Sequence, residues 1–194
     1  MGWTQEATAV TYLDHGDAVP LKSGRRVLGV QGVFGDEIRT VGAGLRFGLA
    51  GPIDLTARAG LTEIADRVGF EAEVAPRMAL FGTRQTAGIA DIALVGYGSV
   101  LRTGEVLALG ADAGAIASRR FKLSSRLTLF VAGTLGLATT YTDVNGGGGD
   151  TDYDTGLLAA GAVGVDVARG ISVILEGRRR DDFERLGLAV TFEL

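Results

Sequence analysis

The sequence predicts an all-β chain that folds as an antiparallel up-and-down β-barrel of about ten strands, within a range of roughly eight to twelve. Apolar and polar residues alternate with period two in segment after segment. Glycine, present 31 times among 194 residues, lies inside nearly every one of these segments. Each such glycine would cost about 1 kcal/mol in a helix interior, which argues against a helical reading. The connections are too short for a Greek key, so a closed meander is expected.

The predicted strands follow one another along the chain. The first begins at residue 25, and the next two form a hairpin over residues 41–49 and 53–61, joined at Gly51 and Pro52. Residues 89–101 are the least regular segment, because both of its faces are apolar. An eleventh strand is an alternative at residues 7–13. The remaining strands are predicted over residues 68–81, 107–117, 127–141, 157–168, 171–178 and 185–194.

Two regions are therefore expected. Residues 1–24 form an N-terminal extension or a partial plug, and residues 25–194 form the barrel. The first six residues have neither a basic nor an apolar signal region, so we expect no export signal within this sequence.

Composition excludes several classes of function. The chain has no cysteine and a single histidine, His15, which excludes thiolate chemistry and multi-histidine metal sites. A formal charge of -4 provides no basic surface for nucleic acid, so no nucleic-acid partner is expected. The longest apolar runs, residues 92–101 and 157–165, are too short for a transmembrane helix.

The polar face of the strands indicates a barrel with its apolar face outward. That face is mostly Gly, Ala and Thr, with isolated charges of both signs in mid-strand. Such a mixture suits a narrow interior in which long side chains pair across the space that glycines leave. The charges in question are Arg46, Asp54, Arg58, Glu71, Glu73, Arg77, Asp112, Asp166, Glu176 and Arg178.

Strand length and aromatic position favour the same orientation. The predicted strands approach or exceed the roughly 9 to 11 residues that a tilted strand needs to cross a bilayer. When alternate strands are drawn up and down, most aromatics fall near the two ends, as in the girdles of transmembrane barrels. One end has Phe34, Phe70, Tyr141, Tyr153 and Phe183, the other has Phe47, Phe81, Phe121 and Phe192, and the exceptions are Tyr97 and Phe130.

The segments at residues 44–58 and 164–176 each contain a strand, a tight turn and a second strand, and the chain ends in the strand 187–194. In these features it resembles the outer-membrane β-barrels of Gram-negative bacteria, the small opacity-protein and porin-like group. The terminal strand is similar to that group's insertion signal, with Phe192 third from the end, but it closes on Leu194 instead of an aromatic. The resemblance implies an outer-membrane location, with outer-membrane lipid and the barrel insertion machinery as partners. It implies no activity.

The predicted function is structural, or that of a narrow passive pore, with no cofactor, no metal and no enzymatic activity. The residues expected to line the lumen are Arg46, Arg58, Glu71, Glu73, Arg77, Asp112 and Glu176. One alternative is a soluble β-barrel that binds an apolar ligand inside; another is an outer-membrane lipid hydrolase using His15.

Two connections are expected to be distinctive. Residues 143–154 form the longest connection, a flexible acidic loop with an alternative role as a weak cation site. Residues 178–182 read Arg-Arg-Arg-Asp-Asp and are expected in a hairpin, either paired among themselves or facing lipid phosphates.

Overall fold

The computed structural model describes residues 18–35, 38–64, 66–82, 85–86, 88–104, 106–144, 151–180 and 183–194. Within these ranges no helix is long and apolar enough to cross a membrane. The described chain forms ten strands: β1 Arg26–Gly35, β2 Ile38–Gly48, β3 Ile53–Ile64, β4 Arg67–Phe81, β5 Asp91–Thr103, β6 Val106–Lys122, β7 Thr128–Val144, β8 Thr151–Ala168, β9 Ile171–Arg180 and β10 Phe183–Glu193.

Each strand pairs antiparallel with its neighbours in sequence, and β1 pairs with β10 to close the barrel. The predicted closed, antiparallel, up-and-down barrel of about ten strands is confirmed. We call the end that holds the start of β1 and the finish of β10 the terminal end. It includes the connections at residues 49–52, 82–90, 123–127 and 169–170. The opposite, far end holds the connections at residues 36–37, 65–66, 104–105, 145–150 and 181–182.

The acidic connection at the far end is shorter than predicted. β7 continues to Val144 and β8 begins at Thr151, so only residues 145–150, which lie outside the described residues, separate them. Threonine and tyrosine favour strands, and the rings of the directly opposed Tyr141 and Tyr153 lie 5.0 Å apart. The longest connection between strands is instead residues 82–90, at the terminal end. The alternative strand at residues 7–13 lies outside the described residues.

The apolar face of the barrel points outward and the charged face points inward. Leu135 is 72% exposed and Leu157 71%, whereas Asp54 and Glu71 are completely buried. This is the reverse of a soluble barrel, in which charged side chains face water and apolar ones fill the interior. The arrangement that the soluble alternative needs is therefore absent from the described strands.

Exposed aromatic rings lie near both ends of the barrel wall. Phe34, Phe70 and Tyr153 are exposed toward the far end, and Phe81, Phe121 and Phe192 toward the terminal end. A β-bulge between Ala79 and Phe81 breaks the alternation of β4, so Leu80 and Phe81 are both exposed. The two aromatics that did not fit the girdles, Tyr97 and Phe130, point inward and are buried.

Tight turns and close contacts explain several glycines. The two-residue turn between β8 and β9 places Gly170 at φ +78°, a region that favours glycine. Inside the barrel, the ring of Phe130 on β7 covers Gly164, its direct partner on β8. Any side chain at Gly164 would overlap that ring. Glycine on one strand thus makes room for a large inward side chain on the next.

Candidate functional site

The barrel interior is the candidate site, because it collects nearly all the mid-strand charges. Asp112 is partly buried. The other residues expected to line the lumen are each at most 8% exposed: Arg46, Arg58, Glu71, Glu73, Arg77 and Glu176. Side chains alternate between the two faces of a β-strand, and each of these residues lies on the inward face of its own strand.

At the terminal end, Arg46 and Asp54 form an ion pair that also holds the N-terminal segment. The Arg46 guanidinium donates to the Asp54 carboxylate at 2.5 Å and to the Val19 carbonyl at 2.8 Å. The amide of Leu21 donates to the same Asp54 carboxylate at 3.2 Å. Arg77 lies directly opposite Asp54 on β4, which adds a third charge to this group.

Further contacts anchor residues 18–24 at the terminal mouth. The amide of Ala18, itself 1% exposed, donates to the Ser118 hydroxyl at 2.7 Å. Gly24 donates to the Gly48 carbonyl at 3.0 Å. A β-carbon on Gly48 would overlap the carbonyl oxygen of Lys22. The segment that precedes β1 therefore enters the barrel, while residues 1–17 lie outside the described residues.

The middle of the interior contains a fully buried ion pair. Arg58 on β3 and Glu73 on β4 are direct cross-strand partners, joined at 2.6 Å, and each side chain is 1% exposed. Gly44, the partner of Arg58 on β2, provides the space for the arginine stem, because a β-carbon there would overlap the Cγ of Arg58.

Toward the far end, the network includes threonines. Glu71 accepts hydrogen bonds from the hydroxyls of Thr62 and Thr40, and these two hydroxyls lie 2.9 Å apart. The three residues come from three adjacent strands, β2, β3 and β4. Their hydrogen bonds connect the inward faces of these three strands.

Two arginines of β9 reach across to other strands. Arg178 donates to Asp112 of β6 at 3.1 Å and lies 5.3 Å from the centre of the Tyr97 ring. Arg180 donates to Asp154 of β8 at 3.1 Å and to the hydroxyl of Thr140. These contacts correct the expectation for residues 178–182. β9 runs to Arg180, so Arg178 and Arg180 point into the barrel, while Arg179 is exposed.

Apolar clusters lie between the charged groups. One of them packs Ala18 of the N-terminal segment against Ala75, Val95, Tyr97 and Ile116. A second surrounds Phe130, and a third lies at the far end around Leu101. Apolar side chains thus occupy parts of the interior between the charged groups.

Several interior residues are not among those expected from the sequence. Arg180 was assigned to a hairpin, and Thr40, Thr62 and Thr140 were not singled out. The inward position of Arg185 could have been predicted, since in the alternation of β10 it shares a face with Gly187. Among the described residues, no group of three or more His, Asp or Glu side chains is placed to hold a metal ion. His15, Asp181 and Asp182 lie outside the described residues.

No protein-family model and no curated protein sequence matches this chain. Among solved structures it is similar to the KdgM porin, with 7% identity, a TM-score of 0.45, and coverage of 86% of this chain and 98% of that one. An outer membrane channel from Pseudomonas putida F1 matches with 10% identity, a TM-score of 0.44, and coverage of 94% and 100%. The N-terminal β-barrel domain of Pseudomonas aeruginosa OprF matches with 11% identity, a TM-score of 0.40, and coverage of 90% and 100%.

Proposed function

We propose that this chain is an integral β-barrel protein of the bacterial outer membrane that acts as a structural element or a narrow passive pore. The observation that carries the proposal is the outer surface of the barrel. An apolar band runs around the described strands, with exposed aromatic rings toward both ends, while most charged side chains in the middle of the strands are enclosed. A surface of this kind is stable against lipid and unfavourable in water, because large apolar patches favour burial.

The outward-facing charged residues lie above and below the apolar band, as expected for a barrel that crosses a membrane. Arg39, Glu63, Arg102, Arg179 and Glu184 are outward residues near the far end, and Arg119 is one near the terminal end. Between these levels the outward positions of the strands carry no charged residue. A charge at the bilayer midplane costs about 2 to 4 kcal/mol in such barrels, whereas a charge at the interface costs little.

The outward apolar residues extend along most of the length of single strands. β4 exposes Val68, Phe70, Val74 and Met78 along one face, and β10 exposes Leu186, Leu188 and Phe192. Roughly ten tilted residues span the hydrocarbon layer. With an even number of strands, both termini lie at one end, which we assign to the periplasm. In this arrangement β10, the last strand, would present the insertion signal.

The passage through such a barrel would be narrow. Ion pairs such as Arg58–Glu73 hold long side chains against the inner wall, and Ala18 packs inside near the terminal end. Fixed charges of both signs line the interior, so we expect weak selectivity between small anions and cations. Small barrels often have interiors that side chains fill. For that reason, we propose a structural role as the alternative to a pore.

Two measurements test the proposal. The first is cell fractionation with gel mobility of the detergent-extracted protein, boiled and unboiled. A band in the outer-membrane fraction that migrates faster unboiled is expected, since closed barrels resist detergent. A protein found wholly in the soluble fraction, without this shift, would contradict the membrane assignment.

The second measurement is planar-bilayer conductance of the purified, folded protein, with a protein-free detergent preparation as the control. Small single-channel steps are the expected result for a narrow pore. Conductance at the background level in a sample that retains the mobility shift would reject the pore and leave the structural role.

A further inference from the structure

A cavity of about 930 Å³ opens at the terminal end, beside the N-terminal segment. Its walls come from residues 19–22, from the first residues of β1, and from the ends of β6, β8 and β10 with their connections. We call it the basic vestibule, because cationic side chains dominate its lining. The cations are Lys22, Arg25, Arg46, Arg120, Arg126 and Arg169, against the two acids Asp166 and Glu193.

The vestibule's acidic groups are already engaged. Glu193 pairs with Arg25 at 2.9 Å. Asp166 pairs with Arg120 at 3.4 Å and accepts a hydrogen bond from the Ser172 hydroxyl at 2.7 Å. Arg46 is held by Asp54, outside the lining.

Three further cations leave the vestibule with excess positive charge. Lys22, Arg126 and Arg169 are exposed and form no ion pair with any residue that the structure describes. They come from three separated parts of the chain: the N-terminal segment, the β6–β7 connection and the β8–β9 turn. An anion in the cavity would therefore meet positive charge from several sides.

The basic character is local and opposes the overall charge of the chain. The protein has a formal charge of -4. The sequences that connect strands at the terminal end contain Arg84, Arg126 and Arg169 and no acid. The sequences that connect strands at the far end contain no base and the acids Asp36, Glu37, Asp66, Glu105, Asp150, Asp181 and Asp182. The connections at the terminal end thus add positive charge around the vestibule, which favours anions there.

We propose that the basic vestibule is a binding site for soluble anions that carry phosphate or carboxylate groups. The planar guanidinium groups of Arg126 and Arg169 match the geometry of both groups, and Lys22 adds a compact positive charge. The concave walls keep these charges around one volume and strengthen their attraction for an anion. Binding at this mouth needs no open lumen, so the site is independent of whether the barrel conducts.

Calorimetric titration of the folded barrel in a neutral detergent tests the site, with inorganic pyrophosphate as the probe. The test variant is Arg126→Gln with Arg169→Gln, and the matched control is Arg39→Gln with Arg102→Gln. Both variants remove two exposed arginines, but the control residues face outward near the far end. We expect the vestibule variant to raise Kd about tenfold or more and the control to leave it nearly unchanged. Added salt should weaken binding to the unmodified protein, because these charges are exposed.

Retention of the gel mobility shift shows that each variant is folded, and Lys22→Gln provides a second test outside the strands. Equal losses in the vestibule and control variants would overturn the proposal, as would no binding by the unmodified protein at millimolar pyrophosphate. Lipid headgroups are the competing source of phosphate. Binding to vesicles that contain anionic phospholipid, without binding of pyrophosphate, would assign the cations to the membrane surface and overturn the soluble-anion site.

Discussion

The guanidinium of Arg58 and the carboxylate of Glu73 face each other across β3 and β4 at 2.6 Å, with both side chains 1% exposed. The pair lies inside a barrel whose outer wall is apolar, so neither charge has ready access to bulk water. Such a pair is most sensitive to the loss of one partner, because the remaining charge is then buried without compensation.

Glu73→Gln should therefore destabilise the barrel by about 3 to 5 kcal/mol, since it leaves the Arg58 charge buried. Arg58→Met combined with Glu73→Leu should recover much of this loss, because both charges are then removed. Urea unfolding of the protein in lipid vesicles, followed by the gel mobility shift, measures both effects. Arg102→Gln, at an exposed outward position, is the control and should change little. A double variant as unstable as Glu73→Gln would contradict this account of the pair.

The ring of Phe130 over Gly164 makes a second pair whose members depend on each other. Phe130→Ala should cost about 3 to 5 kcal/mol, because it empties space in a buried cluster. Gly164→Val should also destabilise, because its side chain would overlap the ring.

Combining the two changes provides the test of this contact. The valine would occupy part of the space that the ring leaves, so the double variant should be more stable than the sum of the two losses predicts. The free energies of unfolding in urea are measured for the unmodified protein, the two single variants and the double variant. Strictly additive losses would show that the ring and the glycine do not interact in this way.

Period-two alternation and short connections were sufficient to predict the closed barrel, whereas the outward direction of its apolar face was predicted from the composition of the polar face, the strand lengths and the positions of the aromatics. Arg46, Arg58 and Glu73 each occupy the polar face of a regular strand, so their side of the sheet follows from sequence alone. The strand ends were less predictable. The acidic residues near Tyr141 and Tyr153 suggested a loop, but threonine and aromatic pairing extend β7 and β8 instead.

Contacts across the interior could not be predicted from the sequence. Arg178 meets Asp112 from a strand three positions away around the barrel, and that contact depends on the barrel's closure and shear. The anchoring of residues 18–24 likewise depends on Gly48, whose role appears only when the Lys22 carbonyl lies against it. Alternation gives the face of a residue, whereas its partner depends on three-dimensional closure.

The absence of cysteine allows a direct test of the N-terminal segment. Ala18→Cys should be protected from a membrane-impermeant maleimide in the folded barrel, because Ala18 is 1% exposed and its amide is held by Ser118. Adding Gly48→Val should make that cysteine reactive, since the valine would overlap the Lys22 carbonyl and displace the segment. Labelling followed by mass spectrometry gives the rates.

Leu123→Cys, at a site 60% exposed in a terminal-end connection, is the labelling control and should react in both backgrounds. Rapid labelling of Ala18→Cys without the valine would show that the segment does not rest inside the barrel. Slow labelling in both backgrounds, with the mobility shift intact, would show that Gly48 is not the contact that seats it.

Leu135 and Leu123 form a matched pair that separates a lipid-facing surface from a water-facing one. Both are exposed, at 72% and 60%, but Leu135 lies in the middle of β7 and Leu123 in a connection at the terminal end. Leu135→Arg should impair insertion, because an arginine near the bilayer midplane costs about 2 to 4 kcal/mol. Leu123→Arg should insert normally, since its position is outside the apolar band. The measurement is the yield of protein with shifted gel mobility after refolding into vesicles. Equal, undiminished yields would mean that Leu135 faces water, and the apolar band would then need a covering other than lipid.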